Sequence, residues 1–104
     1  MDILEIYDKI IASLPNITRK GKATPYTSTN GYMFTFITKE KELAMRFSHK
    51  QIEDIISQGG SEVMQHGKLV KDFVLIPRSW LVDSTRIAEL VMNSFDHTNS
   101  LKPK

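Results

Sequence analysis

With 104 residues, no cysteine and a formal charge of +2, the chain is the size of one small domain, lacks disulfides and thiol chemistry, and lacks the dense basic charge of a dedicated nucleic-acid binder. Leu, Ile, Val and Phe supply 29 side chains, well above the roughly 20% of a chain below which disorder is expected, so residues 1–104 are expected to form one cored domain. No apolar run approaches the roughly 18 residues of a membrane span, and the acidic opening Met1-Asp2-Ile3-Leu4-Glu5 is unlike a secretory leader, which predicts a cytoplasmic domain without membrane contact.

Ile3, Ile6, Tyr7, Ile10, Ile11 and Leu14 recur at helical spacing and predict a first helix over residues 3–14. Asp2 is placed to cap it, with Glu5 in the capping-box position, and Pro15 ends it. Asp8, Lys9 and Ser13 fall on the water-facing side. After the basic stretch Arg19-Lys20-Gly21-Lys22, residues 23–29 favour extended backbone, and Asn30-Gly31 tolerates the positive φ that a type I′ hairpin turn demands. In the next strand, residues 32–37, strict alternation puts Tyr32, Phe34 and Phe36 on one face and Met33, Thr35 and Ile37 on the other. Both faces are largely apolar, as in a central strand. Lys39-Glu40-Lys41-Glu42 reads as a charged turn, followed by a strand with Leu43, Met45 and Phe47 inward and Arg46 outward.

Ser48 and Gln51 form a capping-box pattern for a second helix with the stripe Ile52, Ile55 and Ile56, and Gly59-Gly60 supplies its stop. Residues 62–66 and 71–76 read as a second hairpin about Gly67-Lys68, its second strand buried on both faces from Phe73 to Ile76 and closed by Pro77. Asp83 is the candidate cap of a last helix of about three turns, with Val82 against Ile87 as a staple and Ile87, Leu90, Val91 and Phe95 on one face. The tail from Asn99 to Lys104 is polar and basic and is expected to fray. The order α-β-β-β-α-β-β-α implies an α+β domain: a five-stranded, mainly antiparallel sheet with three helices packed over it.

Three stretches, taken together, resemble the TfoX N-terminal domain family of bacterial competence regulators. They are Asn30-Gly31-Tyr32-Met33-Phe34, Leu43-Ala44-Met45-Arg46-Phe47-Ser48 and the run from Gly67 through Lys71-Asp72-Phe73-Val74-Leu75-Ile76 to Pro77. The closing Ser100-Leu101-Lys102-Pro103-Lys104 also looks like the family's common ending, so the resemblance covers most of the chain from Thr24 onward. Where members usually carry a Lys-Met-Phe-Gly-like segment before the first hairpin strand, this chain reads Lys20-Gly21-Lys22-Ala23-Thr24-Pro25. The resemblance implies a stand-alone, secretion-chaperone-like α+β domain and supplies no catalytic motif.

His49, His66 and His97 are scattered without the spacing of metal ligands, and Glu40, Glu42, Glu53, Asp54 and Asp72 sit among lysines and turn residues as solvated carboxylates do. Gly-x-Ser-x-Gly is absent, and Gly59-Gly60-Ser61 is more simply a helix stop. These readings predict a noncatalytic domain with no cofactor or metal, acting as a regulatory or protein-interaction module that associates with a partner, or with itself, through a sheet edge or an apolar helix face. Trp80-Leu81-Val82 is the candidate partner patch. The alternative is weak, sequence-tolerant nucleic-acid or anion binding through Arg19, Lys20, Lys22, Lys68 and Lys71; a small-molecule enzyme is third.

Overall fold

A computed structural model describes residues 2–104. Asp2 caps α1 (Ile3–Ala12) by accepting from the Leu4 amide at 3.4 Å, without a returning bond from Glu5 among the described residues. Then come β1 (Tyr26–Thr29), β2 (Tyr32–Ile37), β3 (Leu43–Arg46), α2 (His49–Ser57), β4 (Ser61–Gln65), β5 (Lys68–Leu75), a 3₁₀ turn (Arg78–Val82) and α3 (Ser84–Asn99). All strand pairs are antiparallel, in the order β1-β2-β3-β5-β4. The local signals hold where they are self-contained. Ser48 and Gln51 form the full capping box of α2, Asp83 caps α3, and Asn30-Gly31 turns with φ of 57° and 84°.

One side of the sheet carries the main core. Tyr7, Ile10 and Ile11 of α1, Ile55 of α2, and Ile87 and Val91 of α3 bury against Phe34, Ile37, Leu43, Met45 and Val74. A hydroxyl chain crosses this core from the Tyr7 phenol to Thr35 at 2.7 Å and on to Thr27. Burial raises the Tyr7 phenol above its ordinary pKa, against the lowering effect of the hydrogen bonds to Thr35 and Thr27.

Strict alternation fails in β2. Thr27 pairs with Thr35 but Ser28 pairs with Met33, so Phe34 is an extra residue that bulges from the ladder. The bulge turns Phe34 to the helical side, edge-on to Phe95 at 5.6 Å, while Phe36 stays on the opposite side, edge-on to Phe73 at 5.2 Å. Met33 joins Phe36 there. The β2–β3 ladder stops at Thr35–Met45, and the carbonyls beyond it need other donors. Buried Ser94 of α3 donates to the Arg46 carbonyl at 2.6 Å and lies 3.3 Å from that of Phe34, while Arg46 Nε donates to the Met33 carbonyl at 2.9 Å. Ser94→Ala should therefore cost about 1–3 kcal/mol in urea denaturation, the cost of a buried carbonyl left unpaired; a change near zero would contradict this role.

A smaller core lies on the other side. Phe36, Ala44, Val63 and Phe73 are buried there, with Tyr26, Met33, Val70 and Leu75 packed around them. Its cause is a second irregularity. Between the pairs Glu62–Val74 and Met64–Leu69, β4 has only Val63 while β5 has residues 70–73, with Asp72 at φ 70°. The surplus bends the β4–β5 hairpin across the sheet, so that Gln65 and His66 at its tip come beside Thr38, Lys39 and Glu40.

Three further sequence expectations are corrected. Val82 is 91% exposed and staples nothing, and α3 runs 16 residues rather than three turns. The tail does not hang free: the Asn30 amide donates to the Thr98 and Leu101 carbonyls at 3.0 and 2.9 Å, and the Tyr32 hydroxyl to that of Lys102 at 2.8 Å. Gly31 permits this docking, since a Cβ there would lie 2.9 Å from that of Lys104. Arg46 lies on the outward side as expected, yet it is covered, its guanidinium 4.5 Å from the Phe73 ring centre and 5.2 Å from that of Tyr32. Burial lowers its pKa, with Asp72 and Tyr32 pulling the other way.

Candidate functional site

The two edges of the sheet are finished differently. At β1, Tyr26 exchanges backbone hydrogen bonds with Lys20, at 2.8 and 3.0 Å, and the Thr29 hydroxyl donates to Asn99 at 2.8 Å. That edge is covered at Tyr26 and tied to α3 at Thr29. At the other edge β4 pairs only with β5, and among the described residues no other backbone hydrogen bond involves Ser61–Gln65. Val63 points into the smaller core, so the alternating partners point outward. Met64 and Leu69, directly opposite each other across the hairpin, are 55% and 46% exposed. An open row of backbone donors and acceptors flanked by an exposed apolar pair is the chemistry of strand addition.

The patch Trp80, Leu81 and Val82 divides. Trp80 and Leu81 pack against the main core, and the Arg86 guanidinium stacks on the Trp80 ring 3.5 Å from its centre. Only Val82 stands out into solvent. One exposed valine is too little apolar surface to anchor a partner.

The basic candidates are dispersed. Arg19 Nε lies 3.2 Å from Asp8 and its Nη1 donates to the Gly21 carbonyl, while Lys20 donates to Ser28 at 3.1 Å. Lys68 and Lys71 are exposed on β5 and do not line the recess that Lys22 lines. Lys22 has different company. It lines a recess of about 420 Å³ with Lys39 and Lys41 of the β2–β3 turn and Gln65 and His66 of the hairpin tip. Thr24 and Thr38 add hydroxyls, and Leu4, Ala23, Pro25 and Ile37 supply the apolar wall. His66 is not legible as a neighbour of Lys22 in the sequence, because only the bent hairpin brings its tip there, whereas Lys39 and Lys41 come close through the β1–β2 pairing that sets Ile37 against Pro25. Met64 and Leu69 are hidden for a related reason: alternation marks which residues face outward but not that β4 is an edge.

The histidines stay apart. His49 Nε2 lies 3.1 Å from Asp72 Oδ1, and Asp72 Oδ2 is 3.8 Å from Arg46 Nη1, which makes a surface cluster that ties the β5 bulge to the start of α2. Among the described residues no three His, Asp or Glu side chains gather as a metal site, and no helix is long and apolar enough to cross a membrane. The chain matches no protein-family model and no curated protein.

Proposed function

We propose that this protein is a noncatalytic interaction domain of the cytoplasm that docks a protein strand along β4, and that the strand it docks is β4 of a second copy. The open β4 edge beside the exposed Met64–Leu69 pair carries this reading, since the opposite edge already holds Lys20 at Tyr26. The sequence of β4 suits self-pairing. With two copies antiparallel about Val63, Glu62 of one meets Met64 of the other and Ser61 meets Gln65, so no like charges stand opposite each other. Such a pair extends each five-stranded sheet into one of ten strands. A noncatalytic regulatory role also agrees with the resemblance to the TfoX N-terminal domain. Nucleic-acid binding draws less support, because Arg19 and Lys20 are engaged within the chain.

Light scattering coupled to size exclusion tests the reading. The expected result is a mass that rises toward that of a dimer between about 10 µM and about 1 mM, a range suited to a weak association. Met64→Glu puts a like charge opposite Glu62 of the second copy at both symmetry-related pairs, and should weaken the dimer by about tenfold or more. Val82→Lys should leave it unchanged. A monomer mass at every concentration would remove self-association.

A further inference from the structure

We infer that the recess between residues 22–25, the β2–β3 turn and the tip of the β4–β5 hairpin is a binding site for a small organic phosphate. The inference does not rest on strand docking at β4, although Gln65 belongs to both surfaces. Its first ground is charge. Lys22, Lys39 and Lys41 line one recess of about 420 Å³, and the neighbouring carboxylate Glu40 lines the adjoining recess and not this one, so three positive charges face a wall without a negative one. Among the described residues none of the three ammonium groups lies within 4.0 Å of a carboxylate, unlike Arg19 and Arg46. Charges of one sign gathered in a concave site raise the local concentration of the opposite ion.

The second ground is the kind of polar group between the lysines. Thr38 Oγ1 already accepts from the Glu42 amide at 3.0 Å, which leaves its hydroxyl hydrogen to donate elsewhere. Thr24, Gln65 and His66 add further donors around the same space. A phosphomonoester offers acceptors alone on its ionised oxygens and matches this set. The third ground is size and shape. The volume falls in the ordinary range of small-molecule sites and far exceeds one phosphate group, while Leu4, Ala23, Pro25 and Ile37 give an organic body a surface to lie on.

The turns supply clean variants. Lys41 and His66 hold φ of 64° and 52°, the left-handed region that asparagine tolerates better than lysine or histidine and that Asn30 occupies at 57°. The double variant Lys41→Asn/His66→Asn therefore removes one charge and one imidazole while keeping both turns folded. The test is a ¹H–¹⁵N shift titration of the full chain at about 50 mM salt, where phosphate contacts are strongest, with phenyl phosphate, adenosine 5′-monophosphate, uncharged adenosine and a single-stranded oligonucleotide as probes. Both phosphomonoesters should produce saturable shifts confined to residues 22–25, 37–41 and 65–66, and adenosine should produce none. The double variant should bind about tenfold more weakly, and Lys71→Gln, which lies outside the recess, should bind as the parent does. Absence of saturable shifts with both phosphomonoesters would overturn the proposal, as would shifts spread over all surface lysines. An oligonucleotide that alone binds tightly, with shifts running on to Arg19, Lys20 and Lys68, would overturn it in favour of a nucleic-acid backbone.

Discussion

Phe36→Ala should lower the stability of the domain by roughly 3–5 kcal/mol, the usual cost of removing a buried phenylalanine ring. Phe36 is the centre of the smaller core, where its ring meets Phe73 edge-on at 5.2 Å and is enclosed by Ala44 and Val63. It joins the sheet to the bent hairpin, and few apolar groups there can close over the cavity. Against a total stability of about 5–15 kcal/mol the loss is large, and for a domain of this size it should lower Tm by about 12 °C or more. Calorimetry and urea denaturation measure it. A loss below about 1 kcal/mol would mean that the hairpin does not pack on that side of the sheet.

Phe34→Ala should cost a similar amount, roughly 3–5 kcal/mol, through a different partner. Phe34 lies only two residues from Phe36, yet the bulge puts it against Phe95 of α3 on the helical side. Double-mutant cycles separate the two cores. Phe34 should couple to Phe95, and Phe36 to Phe73, by about 0.5–1.5 kcal/mol, whereas Phe34 and Phe73 should be additive within about 0.5 kcal/mol. Coupling between Phe34 and Phe73 in place of Phe34 and Phe95 would show that β2 alternates without a bulge.

Legibility in the sequence followed the range of the forces involved. Ser48 and Gln51, Asp83 and Asn30-Gly31 act within three or four residues, and each does what its local chemistry requires. The α+β order and the antiparallel sheet follow from the same short-range periods. What escaped is decided across the chain. Opposite the β2 bulge the Arg46 carbonyl accepts from Ser94, which lies 60 residues from Phe34, and no local pattern in residues 32–37 marks the bulge. The tail looks free because it is polar, but the Asn30 amide and the Tyr32 hydroxyl, about 70 residues earlier, accommodate its carbonyls. Among the candidate site residues only Lys22 reaches the basic recess. Lys39 and Lys41 read as a solvated turn until the bend in β5 carries His66 beside them.

Hydrogen exchange at the amides of β4, followed from dilute to concentrated protein, tests most directly whether this edge docks a strand. The β4 amides without a partner in β5 should exchange quickly in dilute protein and slow as the concentration rises, in step with the doubling of mass and not in Met64→Glu. Rapid exchange of those amides at every concentration, alongside a dimer that persists in Met64→Glu, would place the interface elsewhere and contradict the assignment of β4.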